Sequence, residues 1–296
     1  MSDYVLSCCS TIDLNKELVE KDELHVIPFH YFLGDKEHVD DFGQTIPYDE
    51  FYKRMVDGEM TKTSQVNVEE YVKYFEKILK EGKDILHLTL SGGLSGTINS
   101  ANIAKGLLKE EYPQRKIIII DSLAASSGYG LLMHKLACMK ANGKTIEEVA
   151  NWAEQHKLDV NHWFFSSDLT FYVRGGRVSK VSGFVGTVLK ICPLLNVDYK
   201  GHLIPREKIR TKSKAIQEIV KKMEENVQNG YNYDGDVFIS HSACLEDAQE
   251  IAKLVESKFK KINGGKVQIF DIGTTIGSHT GPGTCALYFF GNKRIN

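Results

Sequence analysis

Residues 84–97, Asp84-Ile85-Leu86-His87-Leu88-Thr89-Leu90-Ser91-Gly92-Gly93-Leu94-Ser95-Gly96-Thr97, decide how this chain is read. An apolar run over 84–90 has the length and flanks of a buried strand. It passes through three glycines and three hydroxyl residues into a helix over 97–109. A strand that enters a helix through a glycine-rich turn is the building unit of a parallel α/β sheet.

Working outward, the same alternation continues. Strands are expected at 4–9, 24–33, 116–120 and 160–166. Helices are expected near 14–21 and over 49–56, 68–80, 123–141 and 145–156. In 68–80 the apolar residues Val68, Tyr71, Val72, Phe75, Ile78 and Leu79 follow the helical period. Asn67 with Glu70, and Thr145 with Glu148, have the spacing of capping pairs. Near residue 166 glycines and serines cluster and periodicity fades, so the spacing predicts an N-terminal α/β domain over 1–166. A C-terminal α+β domain over 167–296 follows, with a mixed sheet. Its elements are a short helix near 184–190, strands at 194–199 and 203–204, helix 212–227, strand 236–240, helix 245–261, and strands 266–271 and 284–290.

The 296 residues are 42% hydrophobic and 26% charged with a net charge of -2, an ordinary composition with core enough for an interior cavity. Basic residues are dispersed, which argues against nucleic acid. The longest purely aliphatic run is Ile117–Ile120, far short of the roughly 18 residues of a membrane span. The first residues lack the layout of a signal peptide. The six cysteines form no CxxC pair and are read as reduced thiols of a cytoplasmic protein. The ten histidines show no HExxH, so no metal is expected. GxxxxGK[ST] is absent.

Three hydroxyl-bearing segments would lie at strand ends or helix starts: Thr63-Ser64-Gln65, Ser91 to Thr97, and Asp121 to Gly128 with Ser126. There, free backbone N–H groups and the helix dipole favour an anion. Such residues also serve as plain helix caps. Taken together they describe an anion-binding rim with no fixed positive charge. Ile276-Gly277-Ser278-His279-Thr280-Gly281 reads as a loop whose imidazole either faces solvent or donates to an acidic head group. Arg174-Gly175-Gly176-Arg177 reads as a turn with solvated charges, or as a turn that lends one arginine to an oxyanion. The basic stretch Arg210-Thr211-Lys212-Ser213-Lys214 is a helix start or a partner surface. Gly93-Leu94-Ser95-Gly96 falls one residue short of GxSxG. A serine hydrolase or acyltransferase using Ser95 and His279 is the alternative function, and it would need an acid partner for the histidine.

Six segments occur in order: Ser10-Thr11-Ile12-Asp13-Leu14, Thr63-Ser64-Gln65, Leu94 to Ala101, Asp121 to Ser126, Arg174 to Ser179, and Ile276 to Gly283. This series resembles the DegV family of bacterial fatty-acid-binding proteins over nearly the whole chain. The resemblance implies two α/β domains with a long-chain fatty acid, such as palmitate, stearate or oleate, between them. It implies that Thr63 and Ser95 bind the carboxylate, with His279 and Arg174 near it and Ser64, Gly96, Thr97 and Ser126 around it. It further implies a binding subunit with no cofactor and no activity of its own. Such a subunit serves phospholipid metabolism by presenting the carboxyl to a separate ATP-using fatty acid kinase subunit. Val66-Asn67 stands where the family often has Pro-Ser, and Cys192-Pro193 where it often has Lys-Pro.

Overall fold

The computed structural model describes residues 3–178 and 191–295. The helix expected near 184–190, and Ser179, lie outside the described residues.

Four strands form the first sheet: β1 (Tyr4–Cys9), β2 (His25–Ile27), β6 (Asp84–Thr89) and β7 (Ile117–Asp121). They pair in parallel in the order β2-β1-β6-β7. Every residue of β1 and β6 is buried, as expected where helices cover both faces of a parallel sheet. Its helices are α1 (Lys16–Lys21), α3 (Val68–Lys80), α4 (Thr97–Glu111), α5 (Ser126–Ala141) and α6 (Ile146–His156). Asn67 and Thr145 both close full capping boxes, with Glu70 and Glu148.

A six-stranded sheet follows the order β10-β9-β8-β13-β11-β12. Its strands are β8 (Val160–Ser166), β9 (Ile191–Val197), β10 (Leu203–Arg210), β11 (Phe238–His241), β12 (Gln268–Asp271) and β13 (Thr284–Phe290). Only β11 and β12 pair in parallel, so the sheet is mixed as expected. Helices α8 (Lys212–Asn226) and α9 (Leu245–Lys258) close one face over their own apolar cluster.

Four differences from the sequence reading matter. Strand β8 pairs with β9 and β13, so by sheet membership it joins the C-terminal half rather than the N-terminal one. Residues 24–33 are two strands, not one: β2 in the first sheet and β3 (His30–Leu33) in another. Pro28 lies between them and cannot donate to a ladder. Strand β3 pairs with β4 (Lys36–Val39) and β5 (Thr61–Ser64) in an antiparallel sheet that the sequence reading lacked. This small sheet packs on α2 (Tyr48–Val56). Two short helices complete the set, α7 (Thr170–Arg174) and α10 (Thr274–Thr280), where loops had been expected.

Helix α5 runs between the two large sheets, packing on β1 from one and on β8, β11 and β13 from the other. Eleven of its residues are buried, and one continuous core reaches from Tyr4 to Tyr288. The cavity described next opens within this shared core.

Candidate binding site

A cavity of about 300 Å³ lies between the two large sheets and the small one. Its walls are mainly apolar, with Phe29, Leu90, Phe164, Val197, Leu203 and Ile276 among them. Thr63, Gln65, Ser95, Gly96, Arg177 and His279 supply its polar end.

Thr63 is the third residue of β5, and Ser64 next to it is exposed. Side chains alternate along a strand, so placing Thr63 on the cavity wall turns Ser64 away from it. His279 belongs to the last turn of α10, not to a solvent loop. Its Nε2 is 2.7 Å from Thr63 Oγ1, while its Nδ1 is buried with no partner among the described residues. A proton on Nδ1 would be a buried, unpaired donor, the rarest kind of orphan. The tautomer protonated on Nε2 avoids that orphan: it donates to Thr63 Oγ1 and leaves the threonine O–H free for an acceptor in the cavity. Burial first, and then the charge of Arg177, push the His279 imidazole down to about 4. It is neutral at pH 7.

Arg177 corrects the expected rim without a fixed charge. Its Nη2 donates to Leu94 O at 3.1 Å and its Nη1 to Gly175 O at 2.5 Å, so the guanidinium ties the glycine loop to the turn after α7. Arg174 turns outward: it is exposed, contacts Met60 Sδ and stacks over Phe171. Within the Arg174–Arg177 turn the cavity takes the second arginine, because Gly176 at φ +73 reverses the chain between them.

Ser95 lies at the start of α4, its hydroxyl donating to Gln65 Oε1 at 3.4 Å and accepting from Thr97 N at 3.3 Å. Gly96 leaves room for Gln65, whose Oε1 would lie 3.1 Å from a Cβ there. Thr97 is fully buried beneath the loop, bonded to Tyr71 OH at 2.9 Å, and does not line the cavity. Ser126 does line it, but its hydroxyl is engaged by Asp13 Oδ2 at 2.5 Å and Ser240 at 3.1 Å. The glycine loop is clamped by the other half of the molecule. Ser91 Oγ donates to Gly201 O at 2.9 Å, and a Cβ on Gly93 would lie 2.9 Å from the Gly201 and Lys200 carbonyls. The structure thus gathers Thr63, Ser95, Gly96, Ser126 and His279 on one cavity and sets Ser64, Thr97 and Arg174 off its wall. Gln65 and Arg177 join from segments already singled out, with no sequence signal to say which residue of each segment turns inward.

The hydrolase alternative needs His279 to face Ser95 and an acid to hold it. Its Nε2 faces Thr63 instead, and its Nδ1 meets no carboxylate among the described residues.

A mainly apolar interior cavity with a few polar groups on its wall, set among a parallel, a mixed and a small antiparallel sheet, has the form of a small-molecule pocket in an α/β protein. The family model described as "Uncharacterised protein, DegV family" matches residues 9–292, and the chain belongs to that family. A DegV domain-containing protein of Clostridium perfringens is 35% identical over 294 residues, covering 99% of each chain. The crystal structure of a DegV lipid binding protein from Thermotoga maritima aligns at TM-score 0.83 and 30% identity, over 99% of both chains. That of a stearic acid-binding protein from Eubacterium ventriosum aligns at TM-score 0.83 and 28% identity, over 96% of this chain and 97% of that one. Among the described residues no helix is long and apolar enough to cross a membrane.

Proposed function

We propose that the chain binds one long-chain fatty acid, tail in the cavity and carboxyl at its polar end, and presents that carboxyl to a separate ATP-using kinase subunit that forms the acyl phosphate. The observation that carries the reading is the 2.7 Å contact between His279 Nε2 and Thr63 Oγ1 at the mouth of an apolar cavity. It frees one hydroxyl proton to meet an acceptor. In this reading Thr63 donates to the carboxylate, Ser95 turns its single hydroxyl proton from Gln65 Oε1 to the carboxylate, His279 orients Thr63, and Arg177 supplies the charge that a buried anion requires. Ser126 borders the tail, and exposed Arg174 serves the partner rather than the ligand. The lipid-binding and stearic acid-binding relatives support the ligand class.

Magnitudes agree with this division of labour. A palmitate-sized tail of about 15 carbons gains roughly 12 kcal/mol gross on burial, before the costs of association. Affinity would then rest mainly on the tail and orientation on the head. Delipidated protein is expected to take up stearate with one-to-one stoichiometry in calorimetry. Thr63→Ala and Ser95→Ala should each weaken it about tenfold or more, the scale of a lost hydrogen bond to a charged group. Unchanged affinity in both variants would remove the head-group assignment. The kinase step is read by adding a bacterial ATP-dependent fatty acid kinase subunit and trapping acyl phosphate with hydroxylamine. No hydroxamate from loaded protein would overturn that half.

A further inference from the structure

Helix α5 carries a second constellation that the cavity does not use. Cys138 is exposed. One turn earlier, His134 is only 7% exposed and brings its Nε2 to 3.9 Å from Cys138 Sγ. On the other side of the ring, Nδ1 is 2.6 Å from Asp22 Oδ2, at the end of α1. Asp236 Oδ2 stands 3.8 Å from Nε2, and the Phe238 ring packs 5.9 Å from the imidazole.

Proton accounting gives the arrangement a direction. An ionised carboxylate only accepts, so Nδ1 carries the proton toward Asp22. In the neutral ring the Nε2 lone pair then faces the thiol. A nucleophile, a base beside it and a third group holding the base in its tautomer are the three parts of an assisted nucleophile. Cys9 also has a histidine beside it, with His87 Nε2 at 4.0 Å from its Sγ, but Cys8, Cys9, Cys192 and Cys285 are buried and Cys244 is half-buried, so Cys138 alone of the six is exposed.

We propose that Cys138 is a site of thiol–disulfide exchange with an oxidised low-molecular-weight thiol, with His134 as its base and Asp22 as the positioning residue. As Cys138 Sγ attacks one sulfur of the small disulfide, its proton moves to His134 Nε2. The new S–S bond forms as the old one breaks. The departing sulfur leaves with the electron pair and takes the proton back from Nε2 as a free thiol. Cys138 is oxidised, the small disulfide is reduced, and no further oxidant enters.

The electrostatics make the base necessary. Partial burial, and then the carboxylates of Asp22 and Asp236, raise the Cys138 thiol above its usual range, with Lys135 and Lys21 opposing more weakly. Resting thiolate is therefore scarcer than on free cysteine, and an exposed thiol with no base would react more slowly than free cysteine. His134 as base reverses that order.

The full chain is mixed with neutral 4,4′-dithiodipyridine at pH 7. Thione release is followed, and the modified cysteine is located by mass spectrometry. Cys138 is expected to react first, faster than free cysteine, and the fast phase disappears in Cys138→Ser. His134→Gln should slow it at least tenfold, and its rate should climb steeply with pH where the wild-type rate is flatter. Asp22→Asn, close in shape to the native residue, should slow it at least fivefold and keeps the test decisive if the histidine variant does not fold. Reaction at Cys138 slower than free cysteine, or a rate and pH profile unchanged in the folded variants, would reduce His134–Asp22 to a structural pair and overturn the proposal.

Discussion

His279 is the residue on which the polar end turns. Folded, it resists protonation until about pH 4, through burial and Arg177, whereas an unfolded histidine takes its proton near 6.5. Between those values the unfolded chain binds the extra proton, so stability rises with pH across the window and is lost as pH falls from 6.5 toward 4. The effect is on the order of 1–3 kcal/mol after allowance for the ring's partial exposure. Denaturant titrations of wild type and His279→Gln at pH 4.5 and 7 should show a smaller pH dependence in the variant. Equal dependence would mean that the imidazole is not held neutral. The neighbouring residue scale also explains why sequence alone stopped short. Thr63 and His279 are 216 positions apart, and nothing in either segment encodes their 2.7 Å contact. Arg174 and Arg177 offer the same chemistry, and only the chain reversal at Gly176 tells them apart.

At the scale of elements, the helices with local signals were legible. Helix α3 spans the expected 68–80, and its Asn67–Glu70 box is a contact between near neighbours. Removing it with Asn67→Ala should cost about 1 kcal/mol in thermal or chemical melts and leave fatty acid affinity untouched. Helix α10 was not legible. Thr274-Thr275-Ile276-Gly277-Ser278-His279-Thr280 is poor in helix formers, and its first turn is anchored from afar by Thr274 Oγ1 on Asp40 at 2.8 Å. Strand β4, with Lys36, Glu37 and His38, was too polar to read as a strand without its partner β3. The turn after α7 meets α10 at Gly175, where an added Cβ would collide with His279 Nδ1. Gly175→Ala should push the imidazole off Thr63 and lower stearate affinity about as much as Thr63→Ala does. Affinity equal to wild type would show that the ring does not orient the threonine.

Across the whole molecule, the C-terminal tail fastens the two halves. Arg294 is buried, and burial lowers its guanidinium to about 10. It donates to Asp198 O at 2.8 Å just after β9, to Leu123 O at 2.9 Å before α5, and to Lys157 O at 3.2 Å after α6. Its side-chain partners among the described residues, Val197, Asp198, Leu123 and Lys157, all lie far away in sequence, so nothing local announces this role. Arg294→Met would leave these carbonyls without their charged donor and should destabilise the fold by roughly 2–4 kcal/mol. The reading is a lower urea midpoint at unchanged slope. A midpoint within error of wild type would mean that water replaces the guanidinium at little cost.

The contact of Gly93 with the Gly201 and Lys200 main chain has an evolutionary corollary. Where two backbones touch, there is no side chain to trim or enlarge, so drift can spoil that corner but scarcely retune it. Val197, Leu203 and Phe164 line the opposite kind of wall, made of interchangeable apolar groups. Under the proposed function, descendants of this chain would change which tails they prefer one methyl at a time, while the corner that seats the glycine loop is inherited whole or forfeited.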